Sequence, residues 1–258
     1  MDAVHQLAVC TTSYDTAHEP VADQVAMKIT ELRAAFADDD VACTLFIADD
    51  GSAPGFARSA RAGAERIDAA QALRLVPTRA SVQRWGSKGR AVRAALAAAL
   101  ASSPTPDALV YVNLNLKVPA RHVAEAVRAA GGVDVVVGTR SPVDGGAALG
   151  NGALGLLKSR AWSKLARAAL PELVGLRDPN APLKLMSRHA AQLIVDEGRV
   201  DGVGFDAEWL CLWRRAGLSI APIPIVWQQR AGSRPPWELV PEMLLELAQT
   251  RRRLRRER

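Results

Sequence analysis

Two asparagines stand at the end of a short apolar run in the middle of the chain. The run covers residues 108–112, and Asn113 and Asn115 follow it. Residues two apart on an extended backbone face the same side, so we expect the two amides to point in one direction. The end of a buried strand is where an α/β protein places its ligand contacts. The sequence therefore predicts a ligand site here, built from neutral amide groups.

Two further segments carry groups that could bind a nucleotide. Asp49 and Asp50 follow the apolar run 41–48, and a carboxylate at a strand end can accept the ring N–H of a base; a helix cap is the alternative. Lys88 precedes Gly89 and a predicted helix. Glycine lets the backbone approach a phosphate, and a helix N-terminus adds hydrogen-bond donors. A solvated lysine in a turn is the alternative.

The elements that would position these residues alternate along the first 140 residues. Apolar runs predict strands over 7–11, 41–48, 73–77, 108–112 and 133–138, with a loop over 86–89 and helices over 21–37, 59–72, 90–102 and 121–130. This alternation is typical of an α/β fold with a doubly wound, mostly parallel sheet.

The pattern is less regular in the second half of the chain. It predicts a Gly- and Ala-rich loop over 141–155, a strand over 183–186, and helices over 156–170, 190–197, 205–216 and 237–256. Pro222 and Pro224 restrict residues 220–227 to an edge strand or an extended segment.

The composition favours an ordinary globular protein. Of the 258 residues, 49% are hydrophobic and 23% are charged. Most of the net charge of +6 comes from the last eight residues, so a nucleic-acid footprint over the whole domain is not expected. Cys10, Cys43 and Cys211 are widely separated, which predicts free thiols. Since neither a secretory signal nor a long apolar stretch is seen, we expect a cytoplasmic protein.

Ordered segments of the chain resemble the family-2 inverting glycosyltransferases of the GT-A fold, and among them the dolichol- and polyprenyl-phosphate sugar synthases. The segments are 47–52, 86–91, 113–119, 134–140 and, in the second half, 178–185, 204–208 and 224–234. The resemblance implies a hexosyltransferase that moves a sugar from a UDP- or GDP-sugar to a polyprenyl phosphate or a small soluble acceptor. It also implies one catalytic domain over 1–236, with a nucleotide-binding half (1–140) and an acceptor half (141–236).

The resemblance implies a role for each of several polar residues. Contacts to the nucleotide sugar are implied for Thr11, Tyr14, Asp49, Asp50, Lys88, Asn113, Asn115, Arg140, Arg230 and Arg234, and catalytic roles for Asp178, Asp206 and Glu208. Transfer needs a base for the acceptor's proton unless the acceptor is already ionised, as a phosphate is. Asp206 and Glu208 share no helix face, and acids in a helix's first turn that stabilise its dipole are the alternative.

The asparagine pair bears on the cofactor that the resemblance implies. In the family an aspartate–any–aspartate triplet at this place holds a divalent metal, and Mg²⁺ and Mn²⁺ prefer anionic oxygen ligands. Three alternatives follow. A metal ion could be held by the substrate, Asn115 and an acid such as Asp206. Lys88, Arg230 and Arg234 could replace the metal ion. Or the protein could bind a nucleotide sugar without turnover and act through a partner.

The C-terminal segment 237–258 is predicted to be an amphipathic helix with an arginine-rich tail. Its predicted apolar face consists of Trp237, Val240, Met243, Leu244 and Leu247. We expect this face to pack on the domain or on a second subunit of a homodimer, with residues 251–258 as a solvated tail. Peripheral contact of the basic end with an anionic membrane is the alternative. Binding of nucleic acid by the tail alone would be nonspecific.

Overall fold

The computed structural model of the protein describes residues 1, 3–13, 21–52, 54–78, 87–115, 117–150, 152–228 and 239–256. Within these ranges the strands are β1 (Gln6–Ser13), β2 (Ala42–Asp49), β3 (Leu73–Pro77), β4 (Ala108–Val112), β5 (Val135–Thr139), β6 (Ala147–Leu149), β7 (Leu183–Ser187), β8 (Ile220–Pro224) and β9 (Val226–Gln228). The α-helices are α1 (Val21–Ala35), α2 (Phe56–Glu65), α3 (Lys88–Leu100), α4 (Arg121–Arg128), α5 (Ala153–Ala169), α6 (Arg188–Glu197), α7 (Phe205–Arg215) and α8 (Val240–Arg256).

The main sheet has the strand order β3-β2-β1-β4-β7-β5-β8. Its neighbouring strands are parallel except around β7, which runs antiparallel to both β4 and β5. Every residue of β4 and of β5 is buried, as expected for strands covered on both faces. Strands β6 and β9 form a separate two-stranded parallel sheet. The mostly parallel sheet agrees with the fold class predicted from the sequence.

Helices cover both faces of the main sheet. Along β1, Ala8 and Cys10 belong to one buried cluster, while Leu7 and Val9 belong to another, as the alternation of a strand requires. The first cluster takes residues from α3, α6, α7 and α8, and the second from α1, α2 and α4. The chain therefore forms three layers around two apolar cores. All three cysteines are free thiols, as predicted.

Several predicted boundaries differ from the structure. The predicted loop over 141–155 contains a short 3-10 helix (Pro142–Asp144), strand β6 and the start of α5. The predicted helix over 59–72 is shorter, because Asp68 adopts a positive φ of 50° and turns the chain after α2. Helix α3 begins at Lys88, inside the predicted loop. The proline-containing strand β8 lies at the sheet edge, as predicted.

The last helix packs on the domain through a face that agrees only in part with the predicted one: Leu247 is buried as predicted, and Trp237 lies outside the described residues. Glu246, Leu247, Thr250 and Leu254 are its buried residues, whereas Val240 and Leu244 are 45% and 40% exposed. Glu246 determines the buried face by accepting hydrogen bonds from the backbone N–H groups of Gly202 and Gly204. The apolar pattern alone does not encode this contact. The helix also continues through most of the predicted solvated tail. Within the described residues, no helix is both long and apolar enough to cross a bilayer.

Candidate functional site

The sheet topology brings the ends of several strands to one edge. Asp49 ends β2, Asn113 follows β4, and Arg140 follows β5. Because β7 runs in the opposite direction, the segment that precedes it, including Asp178, lies at this same edge. In open α/β sheets the carboxyl edge of the parallel strands is where ligands bind. The structure thus collects at this edge residues from both halves of the chain.

Lys88 contacts the end of β4 at this edge. Its ammonium donates a hydrogen bond to Asn113 Oδ1 at 3.2 Å, and the hydroxyl of Tyr111 donates to the same oxygen at 3.1 Å. The Lys88 Nζ atom lies 5.5 Å from the centroid of the Tyr111 ring and 5.9 Å from that of Phe205. Burial lowers the pKa of Lys88; the charge of Asp206 opposes this shift, and two further cations add to it. An anion bound here would stabilise the charged lysine.

The start of α3 is held close to another segment by a glycine. A side chain at Gly89 would overlap the carbonyl oxygen of Val200 and approach Phe205 Cβ to 2.8 Å. The missing side chain allows the Gly89 N–H to reach the carbonyl oxygen of Gly202 at 3.1 Å. The position of Lys88, one residue earlier, is therefore fixed by the loop that leads into α7.

A buried ion pair lies beside Lys88. Lys184 in β7 pairs with Asp206 in the first turn of α7, and its ammonium also donates to the carbonyl oxygen of Ala181 at 2.8 Å. Lys184 stands opposite Tyr111 in the β4–β7 register, and its Nζ lies 6.0 Å from the Tyr111 ring centroid. Neither Lys184 nor Tyr111 was predicted from the sequence as a site residue. Lys184 could have been recognised as a lysine within an apolar strand, because a buried lysine requires a partner.

Arg140 and Asp178 form a second ion pair. Arg140 Nε and Nη2 donate to the two carboxylate oxygens, each at 2.7 Å, and the Arg140 backbone N–H adds a third hydrogen bond at 2.9 Å. Burial alone would raise the pKa of Asp178, but the hydrogen bonds and charge of Arg140 outweigh it and keep that pKa below its usual value. The Arg140 guanidinium also lies 5.7 Å from the ring centroid of Trp227.

Asp49 and Asp50 differ in their contacts. Asp49 Oδ1 accepts the backbone N–H of Ser52 at 2.8 Å, which closes a turn after β2. Asp50 Oδ2 accepts a hydrogen bond from the backbone N–H of Ser87, the residue that precedes α3. Its Oδ1 is buried and receives no hydrogen bond from the described residues. Burial raises the pKa of Asp50 from 3.8 to about 6.

Other predicted site residues lie apart or outside the described residues. Thr11 is buried within β1, and its hydroxyl has no partner among the residues that the structure describes. Tyr14, Arg230 and Arg234 fall outside the described residues. Their proposed roles remain predictions.

The structure does not bring Glu208 to the Lys88 cluster. Its carboxylate accepts the backbone N–H groups of Arg199 and Val200 at 2.9 to 3.1 Å, together with Arg253 Nη1 at 2.8 Å. Asp206, two residues earlier, faces Lys184 instead. This divergence follows from helical geometry, because residues two apart lie on different faces.

The C-terminal helix reaches the site through one carboxylate. Glu246 accepts the backbone N–H groups of Gly202 and Gly204, both at 2.8 Å. The carbonyl oxygens of Gly202 and Asp201 in turn accept the N–H groups of Gly89 and Arg90 at the start of α3. Glu246 is thus connected to the residue next to Lys88 by two successive sets of hydrogen bonds.

Comparison with known proteins identifies the fold. No protein-family model matches the chain, and no curated protein matches it either. The chain is similar in structure to glucosyl-3-phosphoglycerate synthase from Mycobacterium tuberculosis in complex with UDP, with a TM-score of 0.64 and 19% identity over 96% of this chain and 80% of that chain. For that enzyme with Mn²⁺, UDP-glucose and glycerol 3-phosphate, the TM-score is 0.63 at 19% identity, over 95% and 78% of the two chains.

A third solved structure of that enzyme, with Mn²⁺, UDP-glucose and phosphoglyceric acid, gives a TM-score of 0.65 at 17% identity, over 96% of this chain and 80% of that one. These similarities confirm the predicted fold class. The chain has the GT-A fold, with a mostly parallel sheet between layers of helices.

Among the residues that the structure describes, the side chains near the asparagine pair do not fit a divalent cation held by the protein. Asn113 Oδ1 already accepts two hydrogen bonds, from Lys88 and Tyr111, which engage both of its lone pairs. Asn115 Oδ1 is buried without a hydrogen bond from the described residues, but it is a single neutral oxygen. The carboxylates of Asp178 and Asp206 are each ion-paired. Mg²⁺ and Mn²⁺ prefer anionic oxygen ligands, so the available donors suit these ions poorly.

Proposed function

We propose that this protein is a glycosyltransferase that moves a hexose from a UDP- or GDP-sugar to an acceptor, with inversion at the anomeric carbon. The observation that carries the proposal is the placement of Lys88 and Asn113 at the carboxyl edge of a GT-A sheet. An ammonium group beside a helix N-terminus suits the oxygens of a diphosphate. The presence of UDP or UDP-glucose in structures of the same fold supports this ligand class.

The contacts within the site suggest distinct roles for its residues. Lys88 binds the diphosphate, and the buried Asp50 Oδ1, which lacks a hydrogen bond from the described residues, accepts the ring N–H of the base. Arg140 is oriented by Asp178 and supplies positive charge at the same edge. Glu208 holds the backbone of residues 199–200 and takes no part in proton transfer in this proposal.

The proposed reaction is a single displacement. The acceptor oxygen forms a bond to the anomeric carbon, the bond from that carbon to the β-phosphate oxygen breaks, and the nucleoside diphosphate leaves with the electron pair. The proton of a hydroxyl acceptor passes to Asp206. We favour Asp206 because it is bound by Lys184 through Oδ1, whereas both oxygens of Asp178 are engaged by Arg140.

We further propose a small, soluble, phosphate-bearing acceptor. Phosphoglyceric acid and glycerol 3-phosphate occupy solved structures of the same fold, which supports this acceptor class over a polyprenyl phosphate. A second candidate function is binding of a nucleotide sugar without turnover. The neutral amides of Asn113 and Asn115 favour it, because the usual cation ligands are missing at that position.

The test measures release of nucleoside diphosphate from a panel of UDP- and GDP-hexoses. Each donor is combined with phosphoglyceric acid, glycerol 3-phosphate or a detergent-solubilised polyprenyl phosphate. We expect acceptor-dependent release with one donor and a small acceptor, and its loss in Asp206→Asn while the donor still binds. Binding without release for every acceptor supports the non-catalytic alternative, and failure of every donor to bind refutes both functions.

A further inference from the structure

The charges around Lys88 are unevenly balanced. The two ion pairs of the site edge contain Arg140 and Lys184 as cations and Asp178 and Asp206 as carboxylates. Each carboxylate forms a salt bridge with Arg140 or Lys184. Among the described residues, Lys88 has no carboxylate within salt-bridge distance, and its hydrogen-bond partner is an amide oxygen. Within the described residues, the charge of the Lys88 ammonium is therefore not cancelled by a salt bridge.

The identity of residue 113 explains why this charge remains available. A carboxylate at position 113 would lie at the 3.2 Å contact distance of the Lys88 ammonium and would neutralise it. The amide of Asn113 holds the ammonium in the same place without cancelling its charge. One residue type therefore has two effects: it removes an anionic ligand for a metal ion, and it leaves a positioned cation free to bind an anion.

A divalent cation and the charged Lys88 would also repel each other. Asn115, two residues after Asn113, contributes an oxygen without a hydrogen bond from the described residues, and that oxygen is neutral. The remaining cations, Lys184 and Arg140, add to the positive charge felt by Lys88. The site edge is thus arranged to attract an anion directly, without a bridging metal ion.

From these observations we propose that the site binds the diphosphate of its nucleotide without a divalent cation, with the Lys88 ammonium, held by Asn113 and Tyr111, supplying the compensating charge. This inference rests on the proposed function, since it concerns the same nucleotide. It differs from the solved structures of the same fold that hold Mn²⁺ together with UDP-glucose. The inference predicts that the dissociation constant of the nucleotide does not change when metal ions are removed by a chelator.

The experiment is calorimetric titration of the full chain with UDP and with GDP, in EDTA and in Mn²⁺. For the nucleotide that binds, we expect dissociation constants within about threefold of each other in the two conditions, since the compensating charge belongs to the protein. Lys88→Met should weaken binding in EDTA by about tenfold to a hundredfold, the range expected for a hydrogen bond to a charged group. Lys88→Arg should retain most of the affinity.

Two further variants sharpen the test. Asn113→Asp should weaken binding in EDTA, because the new carboxylate neutralises Lys88, and should make binding depend on Mn²⁺. Lys164→Met, which removes an exposed lysine of α5, should leave binding unchanged. Circular dichroism of each variant establishes that it is folded.

The outcomes separate the inference from the proposed function. Binding by the unaltered protein that strengthens tenfold or more in Mn²⁺ would overturn the metal-independent site and leave the nucleotide-sugar function standing. Equal affinity for the unaltered protein and Lys88→Met in EDTA would also overturn it. Absence of binding to either nucleotide in both conditions would refute the proposed function, and the inference with it.

Discussion

Replacement of Lys184 by methionine would remove one partner of a buried ion pair while nearly preserving the side-chain length. The lysine side chain is 1% exposed and that of Asp206 is 9% exposed, so solvent cannot replace the lost ammonium. The variant would leave a carboxylate without its cation. It would also leave the carbonyl oxygen of Ala181 without the hydrogen bond it accepts at 2.8 Å.

The expected cost can be worked from these contacts. Breaking a buried ion pair by removing one partner lowers the free energy of unfolding by about 3 to 5 kcal/mol. Adding Asp206→Asn to Lys184→Met removes the uncompensated charge, so the double variant should recover most of this loss. About 1 to 2 kcal/mol should remain, for the lost hydrogen bonds. The double variant should therefore be about 2 to 3 kcal/mol more stable than Lys184→Met alone.

The assay is urea unfolding of the four proteins in the double-mutant cycle, followed by circular dichroism. With a slope near 3 kcal/mol per molar urea, Lys184→Met should lower the midpoint by about 1 M or more. Arg66→Met is the matched control, because Arg66 pairs with Asp23 at 2.7 Å but both side chains are about half exposed. That control should lose less than about 1 kcal/mol.

The result that refutes this reasoning is specific. If the free energy of unfolding of Lys184→Met lies within about 1 kcal/mol of that of the unaltered protein, the Asp206 carboxylate has found another partner or water, and the ion pair is not isolated from solvent. If the second substitution gives no recovery, the loss comes from packing and not from charge.

Three further predictions concern the elements that surround the site. Glu246→Ala leaves the N–H groups of Gly202 and Gly204 without their acceptor, so the free energy of unfolding should fall by about 2 kcal/mol or more. Hydrogen exchange of the Gly89 amide should also become faster. Gln249→Ala, on the exposed face of α8, is the control. Burial raises the pKa of Asp50 from 3.8 to about 6, so the folded protein holds this proton more tightly than the unfolded chain does. The stability gained from this protonation is complete below pH 3.8 and is lost as the pH rises through about 6. The variant Asp50→Asn should therefore flatten this part of the curve of melting temperature against pH. Gly89→Ala should lower the stability measured by thermal unfolding by about 1 to 3 kcal/mol, because the new side chain would overlap the backbone of Val200. In Gly131→Ala the new side chain meets nothing within 4 Å, so stability should change little.

Each of these predictions has an outcome that contradicts it. Unchanged exchange at Gly89 in Glu246→Ala would show that α8 does not hold the start of α3. The same pH dependence in Asp50→Asn as in the unaltered protein would show that another group titrates in this range. Equal melting temperatures for the two glycine variants would show that the contact of α3 with residues 200–205 adjusts without cost.

The features that the sequence predicted well are those encoded locally. The alternation of strands and helices, the edge position of the proline-containing strand β8 and the place of Asn113 at a strand end all follow from periodicity or from single residues. Lys184 and Tyr111 could not be assigned to the site in this way. Their role depends on the insertion of β7 beside β4, which is a long-range pairing that local patterns do not specify.

The last helix shows the same limit. Its apolar pattern predicted a buried face containing Val240, Leu244 and Leu247. Leu247 is buried, but Val240 and Leu244 are exposed, and the charged residue Glu246 is buried in their place. The carboxylate of Glu246 fixes the rotation of the helix by binding loop N–H groups more than 40 residues away in sequence. A charged residue in a helical pattern is ordinarily assigned to solvent, so only the folded structure identifies this contact.

The position of β7 in the sheet also sets an order for the assembly of the protein during synthesis. β5 pairs with β7 and β8, and β7 alone joins these strands to β4. A nascent chain that has emerged only as far as β5 can therefore build the sheet β3-β2-β1-β4, but β5 has no place in it. The open edge of β4 is apolar and is a template for wrong pairing until residues 183–187 leave the ribosome. The last strand to arrive in the interior of the sheet is thus the one that carries Lys184 into the site.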